Sequence, residues 1–433
     1  MTMVNVIGGG LAGVECANFL ARHGVKVRLF EMKPLKFSPA HKHAGLAELV
    51  CSNSLKSEAV DTGSGVLKQE MKMLDSLVIR AGECCRVPSG GALAVDRKRF
   101  SDYITNEINS NPNIEIVSAV VDGLPDGDFT VIATGPLTDE ALVPTIKKLC
   151  GDSLAFYDAA APIVDADSID MSVAYLKSRY DKGEADYLNC PFTKEQYYAF
   201  VNELTNAQRA HLHDFEKSEI FEGCMPIEIM AARGEDTLRF GPLRPVGLNH
   251  PTTGERFYAV LQLRAENTDR TAYNLVGFQT NLTFPEQRRV FRMIPGLENA
   301  EFTKYGVMHR NTYVDGGKCL NPDFSVRGNE NVFVAGQLSG VEGYMESAMS
   351  GLITGLAILM RMQGIATEVP TDTMTGAIIN YITSGMGQGQ PMNANFGIMP
   401  PLEARLKSKA DRKKAYAERA IASMQNYLSG LDF

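Results

Sequence analysis

The most informative absence in this 433-residue sequence is that of closely spaced cysteine pairs. Its eight cysteines show no CxxC spacing and no grouping with histidine that resembles a zinc site. We therefore expect neither a dithiol redox centre nor a bound metal. Cysteines without a disulfide framework are typical of a reducing compartment, so the sequence predicts a cytoplasmic protein.

Long apolar runs and an excess of positive charge are also missing. The most apolar stretch, residues 347–360, is shorter than the roughly 20 residues that a membrane-spanning helix needs. The first ten residues lack the basic flank and cleavage site of a signal peptide. We therefore expect no membrane association. The formal net charge is −8, so contact with a nucleic acid would have to come from local basic patches.

One basic patch is the run at residues 405–420, which is rich in lysine and arginine. As a helix it could meet phosphate groups, but a solvated helix face is the more usual interpretation of such a run. Arg233, Arg239, Arg244 and Arg256 are further candidates for phosphate contacts.

A glycine-rich turn follows the first apolar segment. Residues 4–8 and 25–31 are typical of strands, and residues 11–23 are typical of an amphipathic helix. The turn between them has the G-x-G-x-x-G spacing, and an acid ends the second strand, where it can hold a ribose hydroxyl. The sequence therefore predicts a Rossmann-type dinucleotide site formed by Gly8, Gly9, Gly10, Leu11, Ala12, Gly13 and Glu31.

Two later segments favour FAD as the dinucleotide. "FTVIATGP" (129–136) and "VFVAGQLSGVEGYMESAMSG" (332–351) resemble the strands of FAD-binding proteins that end in small-residue turns beside the flavin. Many such proteins place an aspartate after the last turn, whereas this chain has Gln337. The predicted contacts here are Gly336, Gln337, Gly343 and Tyr344, with Tyr344 a candidate for stacking near the flavin.

The order of these segments predicts an α/β fold with a discontinuous, Rossmann-like FAD-binding domain of the glutathione-reductase type. Residues 1–155 and 326–433 are expected to form that domain, and residues 156–325 a smaller inserted α+β domain that holds the substrate. Helices are predicted at 65–82, 96–111 and 193–218. Gly351 and Gly355 are expected to allow close packing of the last apolar helix.

Two cysteines lie in polar, loop-like contexts. Cys51 stands in "AELVCSNSLKS" (47–57) and Cys224 in "FEGCMPIE" (221–228). A thiolate can attack an electrophile or meet a flavin if a basic neighbour or helix N-terminus stabilises it. The alternative for each is an inert packed thiol.

A series of motifs between residues 4 and 362 resembles the bacterial folate- and FAD-dependent tRNA uracil-5-methyltransferases. Besides the two cysteine blocks, they are "GGGLAGVECA", "SPAH", "VPSGGALAVDR", "FYDAAAPIV", "SRYDKGEADYLNCPF", "YNLVGFQTNL", "IPGLENAEF" and "YGVMHRNTY". The resemblance implies an enzyme that forms 5-methyluridine at position 54 in the T loop of tRNA. It implies 5,10-methylenetetrahydrofolate as one-carbon donor, FAD as cofactor and NAD(P)H as reductant.

The same resemblance assigns functional roles to Cys51 and Cys224. We expect Cys224 to add to uracil and Cys51 to serve the flavin or methylene step, although the roles could be reversed. No obligatory protein partner is evident. The alternatives are an NAD(P)H-dependent flavin oxidoreductase, a non-catalytic RNA-binding flavoprotein, a related flavoprotein that modifies the wobble uridine of tRNA, and the same methylation on ribosomal RNA.

Overall fold

The computed structural model describes residues 2–152, 154–181, 184–210, 225–366, 368–386, 389–403 and 406–431. Twelve α-helices lie within these described ranges: α1 Leu11–Arg22, α2 Gly63–Met73, α3 Leu77–Cys84, α4 Arg97–Ser110, α5 Val143–Cys150, α6 Lys194–Asn206, α7 Ile227–Ala231, α8 Phe284–Phe291, α9 Gly316–Cys319, α10 Tyr344–Met362, α11 Met374–Thr383 and α12 Lys409–Ser429.

The strands of the same ranges form two large and two small sheets. They are β1 Met3–Ile7, β2 Lys26–Glu31, β3 Ser54–Ser57, β4 Arg86–Val87, β5 Ala92–Val95, β6 Ile114–Ser118, β7 Phe129–Ile132, β8 Leu154–Ala159, β9 Ile163–Asp165, β10 Tyr175–Leu176, β11 Tyr187–Phe192, β12 Ala259–Ala265, β13 Ala272–Leu275, β14 Phe302–Lys304, β15 Met308–Tyr313, β16 Ser325–Val326 and β17 Asn329–Val334.

The first large sheet has the strand order β16-β17-β7-β1-β2-β6. All its pairs are parallel except β16 with β17. Parallel strands with helices on both sides are buried on both faces, which explains why β1 and β7 are mostly apolar and largely buried. The strands come from both ends of the chain, so the predicted discontinuous, Rossmann-like fold is confirmed.

Close packing of α1 against α10 holds this domain together. A Cβ added to Gly351 would overlap the carbonyl oxygen of Ala12, and one added to Gly355 would lie 3.1 Å from the ring of Phe19. Only glycine lets the two helix backbones approach this closely. The expectation that these two glycines are packing positions is therefore confirmed.

The second large sheet has the order β10-β11-β12-β13-β9-β14 and is antiparallel. Its apolar residues form a separate core between residues 161 and 300, together with the inner faces of α6 and α8. The first sheet has its own core, drawn from residues 4–146 and 314–424. The pair β8–β15 lies where the chain passes from one part to the other.

Two helix predictions need correction. Residues 65–82 form two helices rather than one, because Asp75 adopts a positive φ of 52° and Ser76 caps the start of α3. The buried Glu15 carboxylate accepts the N–H groups of Leu77 and Val78, which stabilises the new start. The predicted helix at 193–218 ends at residue 206, and residues 211–218 lie outside the described ranges. Within those ranges no helix has the length and hydropathy required to cross a membrane.

Candidate functional site

The predicted dinucleotide residues meet at one edge of the first sheet. β1, β2, β7 and β17 are parallel, so their carboxyl ends lie at the same edge. A cleft of about 1180 Å³, including its open mouth, follows that edge. It is lined by nine of the predicted cofactor residues: Gly8, Gly9, Gly10, Leu11, Ala12, Glu31, Gly336, Gln337 and Tyr344.

The three glycines of the motif have different surroundings. Gly8 has a φ of +106°, and a Cβ there would lie 2.5 Å from the carbonyl oxygen of Ala133, the residue that follows β7. A Cβ on Gly13 would overlap the oxygen of Gly8, so this glycine permits the helix to pack on the strand. A Cβ on Gly10 would meet no atom within 4 Å, yet Gly10 lines the cleft. Gly10 therefore leaves open space where a ligand can approach the backbone.

The N-terminus of α1 opens directly onto this space. Gly10 is the residue before the helix and provides no side-chain cap for it. The first N–H groups of a helix have no acceptor inside it and carry the positive end of the helix dipole. Together with the open space at Gly10, this arrangement fits a pyrophosphate group.

Glu31 lies at the end of β2 and is 8% exposed. Its carboxylate accepts the N–H of Gly9 at 2.8 Å and the N–H of Lys33 at 2.9 Å. These bonds hold the two oxygens beside the glycine turn. Each oxygen retains acceptor capacity, which suits a ribose hydroxyl.

A second cleft, of about 1040 Å³, continues from the first. The two share five lining residues: Val50, Pro136, Leu137, Gln337 and Tyr344. Cys51 and Gly343 line the second cleft, together with the polar Lys56, Gln279, Asn311 and Glu342. The half-buried Cys51 therefore lies where an occupant of one cleft could meet an occupant of the other.

Tyr344 connects α10 to the cysteine loop. Its phenolic oxygen accepts the N–H of Cys51 at 2.8 Å and the N–H of Ser52 at 3.2 Å. Burial, reinforced by Cys51, raises the pKa of the Tyr344 phenol, so the group stays protonated at neutral pH. In the structure, Tyr344 orients the Cys51 backbone, a contact that differs from the expected stacking role. The side-chain amide of Gln337, a predicted flavin contact, donates to the carboxylate of Glu342.

Cys224 lies outside the described residues, but the chain that follows it meets the second cleft. The N–H of Ile227 donates to the carbonyl oxygen of Gln279 at 2.7 Å, and Gln279 lines the cleft. Glu228 is buried and accepts from Thr280 and Asn281, which holds α7 against the same segment.

Several polar residues of the site were not among the predicted site residues. His41 lines the first cleft, where its Nδ1 lies 2.6 Å from Ser38 Oγ. Burial and the nearby Lys33 lower the pKa of His41, so the imidazole is neutral at pH 7. Arg264 and Lys304 contact the Cys51 loop from the second sheet. Arg264 had a signal in the sequence, because a cation interrupts the apolar run "AVLQLRA".

Comparison with known proteins first gives the fold class of this chain. The family model described as "Glucose inhibited division protein A" matches residues 3–366. Two crystal forms of Aquifex aeolicus GidA share the fold, with TM-scores of 0.71 and 0.67 at 18% and 17% identity. Each covers 98% of this chain, which in turn covers 73% and 76% of those chains. Fold and clefts thus define a Rossmann-type dinucleotide-binding protein with an inserted α+β domain.

The sequence relatives are more specific. The chain is 51% identical over 437 residues to the "Methylenetetrahydrofolate--tRNA-(uracil-5-)-methyltransferase TrmFO" of Desulfitobacterium hafniense strain Y51, with 100% of both chains covered. It is 51% identical over 425 residues to the protein of that name from Bacillus subtilis strain 168, with 98% of both chains covered. The chain therefore belongs to the methylenetetrahydrofolate--tRNA-(uracil-5-)-methyltransferase family, and the resemblance inferred from its motifs is confirmed.

Proposed function

We propose that this protein methylates C5 of the T-loop uridine of tRNA, with 5,10-methylenetetrahydrofolate as the one-carbon donor. The observation that carries the proposal is 50–51% identity, over essentially the whole chain, to relatives named for this activity. The two connected clefts support it, because the reaction needs a cofactor and a substrate held side by side.

The first cleft fits FAD. The open space at Gly10 accepts the pyrophosphate, Glu31 the adenosine ribose, and the turn at Gly336 and Gln337 borders the region expected for the flavin. Tyr344 lines this end of the cleft, where the second cleft continues from it. Bound FAD, reduced by NADPH or NADH, supplies the two electrons that convert a transferred methylene group into a methyl group.

The cysteines supply the nucleophilic chemistry. Uracil C5 is a weak nucleophile, and addition of a thiolate to C6 gives C5 the electron density to bond to the methylene carbon. A base then removes the C5 proton as tetrahydrofolate leaves the methylene carbon. After two electrons and a proton have been added to that carbon, the thiolate leaves C6, which restores the ring double bond. We assign the addition to Cys224 and place Cys51 at the flavin or methylene step, where the junction of the clefts supports it.

The target uridine has to leave the folded T loop to reach these clefts. Proteins that act on a base inside a folded nucleic acid extrude it and bind the flanking phosphates. The exposed cations of α12, among them Arg412 and Lys414, are our candidates for phosphate contacts. Arg239 is a poorer candidate, because it bonds Tyr258 O and Asp236 and lies 3.6 Å above the Tyr258 ring.

Reconstitution tests the proposal directly. Purified protein with FAD, NADPH, 5,10-methylenetetrahydrofolate and unmodified tRNA should form 5-methyluridine, measured by nucleoside mass spectrometry. Cys224→Ala and Cys51→Ala should retain FAD and lose product, whereas Cys84→Ala, at an exposed cysteine of α3, should be normal. Product formation by Cys224→Ala at the normal rate would refute its role as nucleophile.

The same assay separates the alternative functions. Rapid NADPH oxidation without folate or RNA, and no methylated product, would indicate an NAD(P)H-dependent flavin oxidoreductase. Methylation of ribosomal RNA but not of tRNA would show that ribosomal RNA is the substrate. tRNA binding without turnover would indicate a non-catalytic RNA-binding protein.

We also propose a cytoplasmic location and the domain boundaries 1–155 with 326–433 for the FAD-binding domain and 156–325 for the inserted domain. Two separate cores support the division, one drawn from residues 4–146 and 314–424 and the other from residues 161–300. Limited proteolysis should cut first near residues 155 and 325 if these boundaries are correct.

A further inference from the structure

The loop that carries Cys51 is held by side chains from several distant elements. Lys304, the last residue of β14, donates its Nζ to the carbonyl oxygen of Val50 at 2.7 Å. Arg97 of α4 donates to the carbonyl oxygen of Leu49 at 3.0 Å. The backbone that leads into the cysteine is therefore fixed from outside the loop.

Arg264 of β12 holds the residues that follow the cysteine. Its Nη2 donates to Ser52 Oγ and its Nε to Asn53 Oδ1, both at 2.8 Å. Asn53 in turn donates to the carbonyl oxygen of Ala265 at 3.0 Å. Arg264 is 7% exposed and Asn53 is fully buried, so water does not compete strongly for these bonds.

Arg264 and Lys304 both belong to the second sheet, whereas the Cys51 loop belongs to the part of the chain that builds the first cleft. Burying Arg264 and half-burying Lys304 cost free energy that packing alone would not require. Burial and the repulsion from Arg97 lower the pKa of Lys304 to about 8, although the attraction of Cys51 opposes both effects. By reciprocity, Lys304 favours the negative form of the thiol.

We propose that Arg264 and Lys304 are positioning residues that hold the Cys51 thiol at the junction of the two clefts. The inference rests on the proposed function, because it assigns a task to Cys51 in methyl transfer. It adds that the inserted domain, and not the FAD-binding domain alone, determines where this thiol lies. Because Arg264 and Lys304 connect the second sheet to the Cys51 loop, a shift of that sheet against the first would also move Cys51.

Cys51 alkylation measures this positioning without folate or RNA. Iodoacetamide is added to the FAD-loaded protein, and the rate at Cys51 is followed by peptide mass spectrometry. Lys304→Met should change the rate about tenfold, the size expected for loss of one charge-assisted hydrogen bond. It should also shift the midpoint of the pH–rate profile upward, because one positive charge is removed. Lys304→Arg should restore both.

Other charged and titratable groups face this loop or the two cations that hold it, and they must be unchanged for the profile to be interpreted. They are Arg97 and Glu266, which form an ion pair at 2.7 Å, and Tyr187, Tyr344 and Lys42. Arg292→Met is the matched control, since Arg292 also donates to a backbone carbonyl, that of Ala300, within the inserted domain. It should leave Cys51 alkylation at the wild-type rate.

A second variant keeps the test independent of folding problems. Arg264→Lys retains the charge but loses the fork that reaches two acceptors, and it should alter the alkylation rate at normal FAD content. Wild-type rates and midpoints in both Lys304→Met and Arg264→Lys, with normal FAD content, would overturn the inference. A wild-type protein that fails to methylate tRNA would refute the proposed function while leaving the alkylation result valid.

Discussion

The phenolic oxygen of Tyr344 accepts a hydrogen bond from the N–H of Cys51 at 2.8 Å, although 293 residues separate the two in the chain. Tyr344 is the first residue of α10, and the same helix packs against α1 at the glycine turn. One helix therefore connects the dinucleotide turn to the cysteine loop, and a change at either end should be detectable at the other.

Tyr344→Phe removes this acceptor and leaves the N–H groups of Cys51 and Ser52 without it. The free energy of unfolding should fall by about 1–2 kcal/mol, as for other half-buried donors that lose a partner. Methylation should slow while FAD content stays normal. Urea unfolding and a single-turnover assay measure the two effects, with Tyr381→Phe on α11 as control. Unchanged turnover would show that the bond does not orient Cys51.

Gly10→Ala and Gly13→Ala should separate ligand binding from packing. The added methyl group at Gly10 meets open space, so stability of the FAD-free protein should change little while FAD affinity falls. The methyl group at Gly13 overlaps the oxygen of Gly8, so the FAD-free protein itself should lose about 1–3 kcal/mol of stability. Thermal unfolding of FAD-free protein and FAD titration distinguish them. Normal FAD affinity in Gly10→Ala would place the pyrophosphate elsewhere.

Glu70 should make stability depend on pH. Its buried carboxylate accepts from Met374 and Thr375, and burial raises its pKa to about 7. The unfolded group titrates near 4.5, so the folded state binds more protons between these values. This contribution to stability is therefore fully present below pH 4.5 and is lost as pH rises to about 7.

Glu70→Gln should reduce the loss of Tm between pH 5 and pH 8 relative to wild type, because the amide does not titrate. Glu107→Gln, at an exposed position of α4, is the control and should keep the wild-type difference. An identical pH difference in Glu70→Gln and wild type would contradict the raised pKa.

The basic face of α12 should contribute to the salt dependence of tRNA affinity. Arg412 and Lys414 are exposed near its N-terminus. If both contact phosphates, the double alanine variant should bind tRNA more weakly, and the slope of log affinity against log salt should be shallower by about 1.5. Lys98→Ala, an exposed lysine of α4, is the control. An unchanged slope would indicate a solvated helix face.

Local pattern explains which predictions succeeded. The glycine turn and α1 follow from residues within about 25 positions of one another, and the structure has the helix at Leu11–Arg22 against the predicted 11–23. The break at residues 74–76 was missed because its stabilisation comes from Glu15, on another helix. A periodicity over 65–82 carries no information about such a distant cap.

The sequence by itself determined the Rossmann turn, the close-packing glycines of α10, and the family, because each depends on residue types within short motifs. Only the tertiary structure decided the surroundings of Cys51. Tyr344, Arg264 and Lys304 reach its loop from three different elements. Hydrogen bonds between residues more than two hundred positions apart form only when the distant parts of the chain have packed together, so no local sequence pattern could predict them.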